Sequence, residues 1–285
     1  MTKALRYHKV LNGRITSVLA KVDQSNVRRY PFPHLVLENA LDTDIYEELA
    51  ATFPNAERFL RGGVPEDNRY YWLNAREVLS GESIAKTWID FVCYHTSRSF
   101  FLDVLRVFGR VIEDTYPALI TGGTLLRKWS TSVRNVDPKK DLSLECQLTY
   151  CSPVGGTPSR SRGPHVDREV TLFGGLLYLR KTEDQSKGGN LVLHNVNVPS
   201  SELTFDAGNH LEDKFVKDFS VVSYKANTLV FFINSPLSIH SVTARSTTSI
   251  PRIHVNFVGE LGYQLFTINK PHFQGANTNA WYGNE

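Results

Sequence analysis

Cysteine is scarce in this chain. Cys93, Cys146 and Cys151 are the only 3 among 285 residues, and no Cys-x-x-Cys occurs. So sparse and odd a set excludes a disulfide scaffold and fits a reducing, cytoplasmic setting. Long apolar runs are missing as well. No stretch approaches the ~18 uncharged apolar residues that a membrane span needs. Met1-Thr2-Lys3-Ala4-Leu5-Arg6 leads into no sustained apolar run, so no signal peptide is expected. An excess of one charge is also absent. Lys+Arg is 32 against Asp+Glu 29, a net charge of +3, too little for the concentrated basic face that nucleic acid requires. Arg28-Arg29 and Lys139-Lys140 read as solvated surface. Gly155-Gly156 and Gly174-Gly175 lack the neighbours of a phosphate-binding loop. No cysteine has a His or Asp pattern of a nucleophile, and there is no internal repeat.

What is present is an ordinary globular composition, with 41% hydrophobic and 21% charged residues. Aromatics reach 11%, which suits strands and lined pockets. Pro31 and Pro33 impose extended chain up to Leu37. Asp42-Thr43-Asp44 then caps a helix with Ile45, Tyr46, Leu49 and Phe53 on its apolar face, stopped at Pro54. Residues 60–80 read as loop. From Ser83 to Tyr116 the apolar spacing predicts two helices broken near Thr96-Ser97. Beyond Pro117 short strands dominate, at about 144–151, 170–179, 190–194, 221–224, 228–233 and 253–258. Helices first and strands afterwards predict an α+β fold, a β-sandwich or open barrel buttressed by helices.

His165-Val166-Asp167 is the only His-x-Asp in the chain. On a strand, residues i and i+2 share a face, so an imidazole nitrogen and a carboxylate oxygen stand side by side. Such a pair holds two adjacent positions on a divalent metal. A second histidine completes the two-His, one-carboxylate face that leaves positions open for chemistry. His240, 75 residues on, after Phe231-Phe232-Ile233 and before Ser241-Val242, is the best third ligand. Arg252, His254 and Asn256 share a face of the last predicted strand. An inward arginine there needs an anion, and a dicarboxylate supplies one through bidentate pairing. His210-Leu211-Glu212 offers similar atoms but sits in a loop. Alone, His165 and Asp167 could equally be a structural strand pair.

The order Pro164-His165-Val166-Asp167, Leu176-Leu177-Tyr178-Leu179, Gly188-Gly189-Asn190-Leu191, His240-Ser241-Val242 and Arg252 resembles the prolyl-4-hydroxylase-like Fe(II)/2-oxoglutarate dioxygenases. The resemblance covers about residues 140–262. It implies a double-stranded β-helix, a jelly-roll or cupin-like barrel, buttressed by N-terminal helices. A single domain over 1–285 is expected: helical support to about 120, barrel core over about 121–265, and a tail over 266–285. His165, Asp167 and His240 would ligate Fe(II), and Arg252 would take the distal carboxylate of 2-oxoglutarate. Tyr178 and Tyr150 would lie by the cosubstrate. O2 would be the oxidant.

The implied activity is hydroxylation of an unactivated C–H bond, with release of succinate and CO2. The retained Asp167 favours hydroxylation over halogenation, and no nucleic-acid or membrane partner is expected. A small molecule is the leading substrate class. The segment Ser152–Gly163 reads either as an inert connector or as a lid over the iron, the lid placing Arg160 and Arg162 to favour an anionic substrate. Trp72 with Tyr70 and Tyr71, and His254 and Asn256, could line the substrate side or simply pack in the core. Two alternatives stay open: hydroxylation of a protein or peptide side chain, and a metal- or ligand-binding barrel without turnover.

Overall fold

The computed structural model describes residues 17–81, 83–120 and 125–270. The start of the expected helical support, 1–16, and most of the expected tail, 271–285, lie outside the described residues.

The helices gather in the first part of the chain: α1 (Thr43–Ala51), α2 (Ala56–Leu60), α3 (Ala75–Ser80), α4 (Lys86–His95) and α5 (Arg98–Thr115). The break between α4 and α5 falls where the sequence places it. Thr96 ends one helix, and the Ser97 hydroxyl accepts the Phe100 amide to start the next. Residues 60–80 are more ordered than expected. Tyr70-Tyr71-Trp72-Leu73 is a short β-rich run that finds a partner strand only in the folded chain. Asn74 and Glu77 close a capping box that begins α3.

Ten strands follow or interleave: β1 (His34–Glu38), β2 (Tyr70–Leu73), β3 (Thr131–Val133), β4 (Leu142–Cys151), β5 (Thr171–Tyr178), β6 (Leu191–Val196), β7 (Val216–Val222), β8 (Thr228–Ile233), β9 (His240–Val242) and β10 (Arg252–Glu260). The β7 position differs from the expected 221–224 because its middle, Lys217, Asp218 and Phe219, faces solvent at a sheet edge and breaks the apolar pattern.

The strands form two sheets. The large one has the order β1-β8-β5-β10-β4-β2, with β3 parallel to β4 and the other pairs antiparallel. The small one has the order β7-β6-β9. His165 extends the small sheet through single bridges to His240 and His210. The fold is therefore α+β. Along β4, β5, β8 and β10 alternate residues serve different layers. Leu148, Leu177, Phe231 and Phe257 join the helices in one apolar core. Tyr178, Val230 and Phe232 turn the other way and meet Leu191, Leu193 and Val222 of the small sheet. Among the described residues no helix is long and apolar enough to cross a membrane.

Candidate functional site

The ligand side chains that the sequence singles out gather where the inner face of the large sheet meets the small sheet. His165, Asp167 and His240 come together with their ligand atoms all within 4.8 Å of one another. The Asp167 carboxylate stands 3.9 Å from Nε2 of each histidine. Ligands about 2.1 Å from a shared metal at right angles are about 3 Å apart, so the group is looser than a filled site and would contract around an ion. His165 lies on a bridged extended segment, short of a regular strand, yet the i, i+2 relation holds. His240 opens β9, hydrogen-bonded by its backbone to His165 in both directions at 3.0 Å.

Each imidazole is aimed by its other nitrogen. His165 Nδ1 lies 2.8 Å from the Gly163 carbonyl, and His240 Nδ1 lies 2.9 Å from that of Ser238. A carbonyl only accepts, so both Nδ1 atoms carry the proton and both Nε2 lone pairs face the cluster. Burial holds His165 well below the ordinary imidazole range, helped by Arg162 and His240. Burial lowers His240 too, against the pull of Asp167. Both are neutral near pH 7, the form that binds a metal. Asp167 is packed against Gly174, where a Cβ would stand 3.0 Å from its Oδ2 and 2.7 Å from the Phe232 ring.

Arg252 opens β10 on the same side of the large sheet and is 2% exposed. Its Nε donates to the Gly189 carbonyl at 3.0 Å, and Nη1 lies 3.4 Å from the Tyr70 hydroxyl. The rings of Tyr178 and Tyr224 approach its Cζ at 5.1 and 5.0 Å. Burial disfavours its charge, but the phenols of Tyr70, Tyr178 and Tyr224 outweigh that and leave the group firmly cationic. Among the described residues its Nη2 makes no hydrogen bond of good geometry, with the Tyr178 hydroxyl as a polar neighbour of the guanidinium. The Gly188-Gly189 pair makes this approach possible. Gly188 has φ +80°, and a Cβ there would lie 1.8 Å from the Ala244 carbonyl oxygen.

A row of orphaned groups lies beside it. His254 is paired across the sheet with Thr149 on β4 and Tyr178 on β5. Thr149 Oγ1, Tyr178 OH and His254 Nδ1 are all buried and, like Arg252 Nη2, make no hydrogen bond of good geometry among the described residues. Burial, and secondarily Arg252, keeps His254 neutral. Four such atoms on three adjacent strands are a set that an anionic ligand with several oxygens would satisfy. The residues present therefore fit both a divalent metal and a carboxylate-bearing cosubstrate.

Other expected residues are sorted differently. Tyr150 is on the opposite face of β4, stacked on Phe59 at 5.5 Å and close to Tyr71 in the helix-side core. Strand alternation removes it from the cosubstrate. Arg160 does not reach the metal group. Its guanidinium binds both carboxylate oxygens of Asp213, at 2.8 and 2.7 Å, on the wall of another cavity. Arg162 does lie by the metal group, since its charge acts on His165, His210 and His240. Asn256 shares the Arg252 face and is half-buried, and Trp72 pairs with Thr149. His210 bridges to His165, with ring centroids 5.8 Å apart, but is outside the metal group. Tyr70, grouped in the sequence with Tyr71 and Trp72 on the substrate side, touches Arg252 instead and also bonds the Ser161 hydroxyl at 2.7 Å. The period-2 pattern of Tyr70 and Trp72 against Tyr71 and Leu73 was the one signal that could have separated it from Tyr71.

No family model and no curated protein matches the chain. Among solved structures the chain is similar to a prolyl-4-hydroxylase from Pseudomonas putida, at 15% identity, TM-score 0.41, over 80% of this chain and 92% of that one. It is also similar to prolyl 4-hydroxylase of Phytophthora capsici, at 14% identity and TM-score 0.45 over 93% and 69% of the two chains. A third similar structure is the non-heme α-ketoglutarate-dependent epimerase SnoN of nogalamycin biosynthesis, at 13% identity and TM-score 0.46 over 80% and 78%. All three likenesses are distant.

Proposed function

We propose that this chain is an Fe(II)- and 2-oxoglutarate-dependent dioxygenase that hydroxylates a small molecule, with the two sheets forming a double-stranded β-helix. One observation carries the reading: a His-Asp-His group with both histidines fixed as neutral ligands shares its sheet face with a buried, unneutralised arginine among orphaned polar atoms. A structural core has no use for that combination, because each unsatisfied group costs about 1–3 kcal/mol.

His165, Asp167 and His240 would hold the iron through Nε2, a carboxylate oxygen and Nε2, leaving one side open. Bound iron with 2-oxoglutarate would supply oxidative decarboxylation coupled to C–H hydroxylation. The remaining work belongs to the protein. The Gly163 and Ser238 carbonyls keep the imidazoles from rotating. Arg252, with its Nε anchored on Gly189 and its plane flanked by Tyr178 and Tyr224, would pair with the far carboxylate. Tyr178, Thr149 and His254 would complete that carboxylate's shell. Gly174, against Asp167, and Tyr178, beside Arg252, are four residues apart on β5, roughly 13 Å. A five-carbon dicarboxylate fits that span. Arg162, near the open side of the metal group, favours an anionic substrate.

The test is an anaerobic titration of metal-free protein with Fe(II) and 2-oxoglutarate, followed by visible absorption. A charge-transfer band that needs both components and is absent in folded Asp167→Ala is the expected result. Fe(II) binding without a band would leave a metal-binding barrel lacking turnover. Substrate screening by succinate release then separates small molecules from peptides.

A further inference from the structure

The outer face of the small sheet carries a second set of reactive side chains, behind the metal group. Strand alternation puts them there. His240 faces inward, so Ser241 faces outward. Leu191 and Leu193 face the large sheet, so Val192 and His194 face outward. A cavity of about 610 Å³ opens on this side, lined by Ser241, His194, Asp218, Thr243, Arg160 and Asp213 among others.

Three of these residues are in sequence of contact. Ser241 Oγ lies 2.7 Å from His194 Nε2, and His194 Nδ1 lies 3.2 Å from Asp218 Oδ1. Ser241 and His194 are each 4% exposed, whereas the Asp218 side chain is 69% exposed. The carboxylate is close enough for a hydrogen bond but out of line, and Nδ1 is accordingly a buried atom without a partner. A local irregularity makes the juxtaposition. Leu193 pairs with Ser220, yet the next residue, His194, pairs with Asp218, so Phe219 is skipped. Without this bulge His194 would face Phe219, and bulges of this kind re-aim side chains beside active sites. Burial lowers the His194 pKa, so the ring is neutral, and the Asp218 carboxylate opposes that shift and favours the protonated ring. Two residues beyond Ser241, the Thr243 hydroxyl oxygen accepts the Asn190 amide at 3.0 Å, which leaves its proton to donate into the cavity.

We propose that Ser241, His194 and Asp218 form a second, metal-independent site that hydrolyses small carboxylic esters. Ser241 Oγ attacks the acyl carbon while its proton passes to His194 Nε2. The bond to the alcohol oxygen breaks, and His194 returns the proton to that oxygen. Water then attacks the acyl-serine, giving its proton to His194. The acid leaves and Ser241 is restored. Asp218 swings into line with Nδ1 and stabilises the imidazolium, and Thr243 donates to the oxyanion. Val192 and Val216 supply the apolar wall for the acyl chain, and the ion pair of Arg160 with Asp213 fixes the far wall.

The test uses the full chain stripped of metal with a chelator. Incubated with p-nitrophenyl acetate, it should release a burst of nitrophenolate, and peptide mass spectrometry should find the acetyl group on Ser241. An alkyl fluorophosphonate should label the same residue in the unmutated protein, so the test does not depend on any variant folding. Ser241→Ala and His194→Gln should each lower ester turnover about 100-fold or more, and Asp218→Asn by less. The Fe(II) and 2-oxoglutarate band should persist in His194→Gln. No label on Ser241, a label elsewhere, or a burst that survives in Ser241→Ala overturns the proposal and reduces the cluster to a cross-strand brace behind His240.

Discussion

On the helix side of the large sheet, Leu148, Leu177, Phe231 and Phe257 sit fully buried in one continuous apolar cluster. On the other side of the same strands, Thr149, Tyr178, His254 and Arg252 are almost as buried, yet each leaves a polar atom with no hydrogen bond of good geometry among the described residues. Both faces are read from alternate residues of the same strands, one apolar and one polar. The difference is in what completes them. The helix face is satisfied by the chain itself. The inner face keeps buried polar atoms that no described residue satisfies, and such atoms cost stability that the helix face has to offset.

Removing apolar bulk from the helix face should produce the largest loss. Phe257 is packed among Phe91, His95 and Phe100. Phe257→Ala should cost about 3–5 kcal/mol in denaturant unfolding, while any Fe(II) chelate that still forms keeps its spectrum. The inner face should respond in the opposite sense. Arg252→Met removes a buried charge without a carboxylate partner, so the melting temperature without ligand should rise. Its affinity for 2-oxoglutarate should fall about 100-fold or more, measured by titrating the chelate band, with Fe(II) binding unchanged. A lower melting temperature would mean that Arg252 is already neutralised by the fold.

Glu145 sharpens the comparison, being a buried carboxyl on β4 that is satisfied. It accepts the Ala75 and Cys146 amides at 2.6 and 3.0 Å, yet burial pushes its pKa up to about 7. The folded state then favours the protonated acid. Its contribution is complete below about pH 4.5 and is lost as pH rises through 7. Glu145→Gln should flatten the stability profile between pH 5 and 7 and leave the protein about 2–3 kcal/mol more stable at pH 8. Tyr178→Phe should have the smallest effect. It deletes a hydroxyl whose polar neighbour is the Arg252 guanidinium, so stability should change little while 2-oxoglutarate affinity drops about 5- to 10-fold, near 1 kcal/mol.

Much of this was legible in the chain before folding, and the exceptions have physical reasons. The α4–α5 break was readable because Ser97 is a strong capping residue. The grouping of His165 and Asp167 was readable because His165-Val166-Asp167 is local, and His240 because few later histidines lie on a strand. Tyr150 was misplaced because a resemblance between motifs ignores strand parity, and one residue of offset moves a side chain to the other face. Arg160 was misplaced because its partner, Asp213, is 53 residues away.

The sequence by itself determined the α+β division, the alternation that gives each inner strand two faces, and the donor atoms of His165, Asp167 and His240. Those follow from local sterics, periodicity and side-chain chemistry. Only the tertiary structure decided that Arg252 has no carboxylate partner among the described residues, that Tyr70 from outside the motif region reaches it, and that a skipped Phe219 brings Asp218 opposite His194. Each of these depends on pairing between residues far apart in the chain, and strand register is fixed by the whole packed core rather than by the residues it aligns.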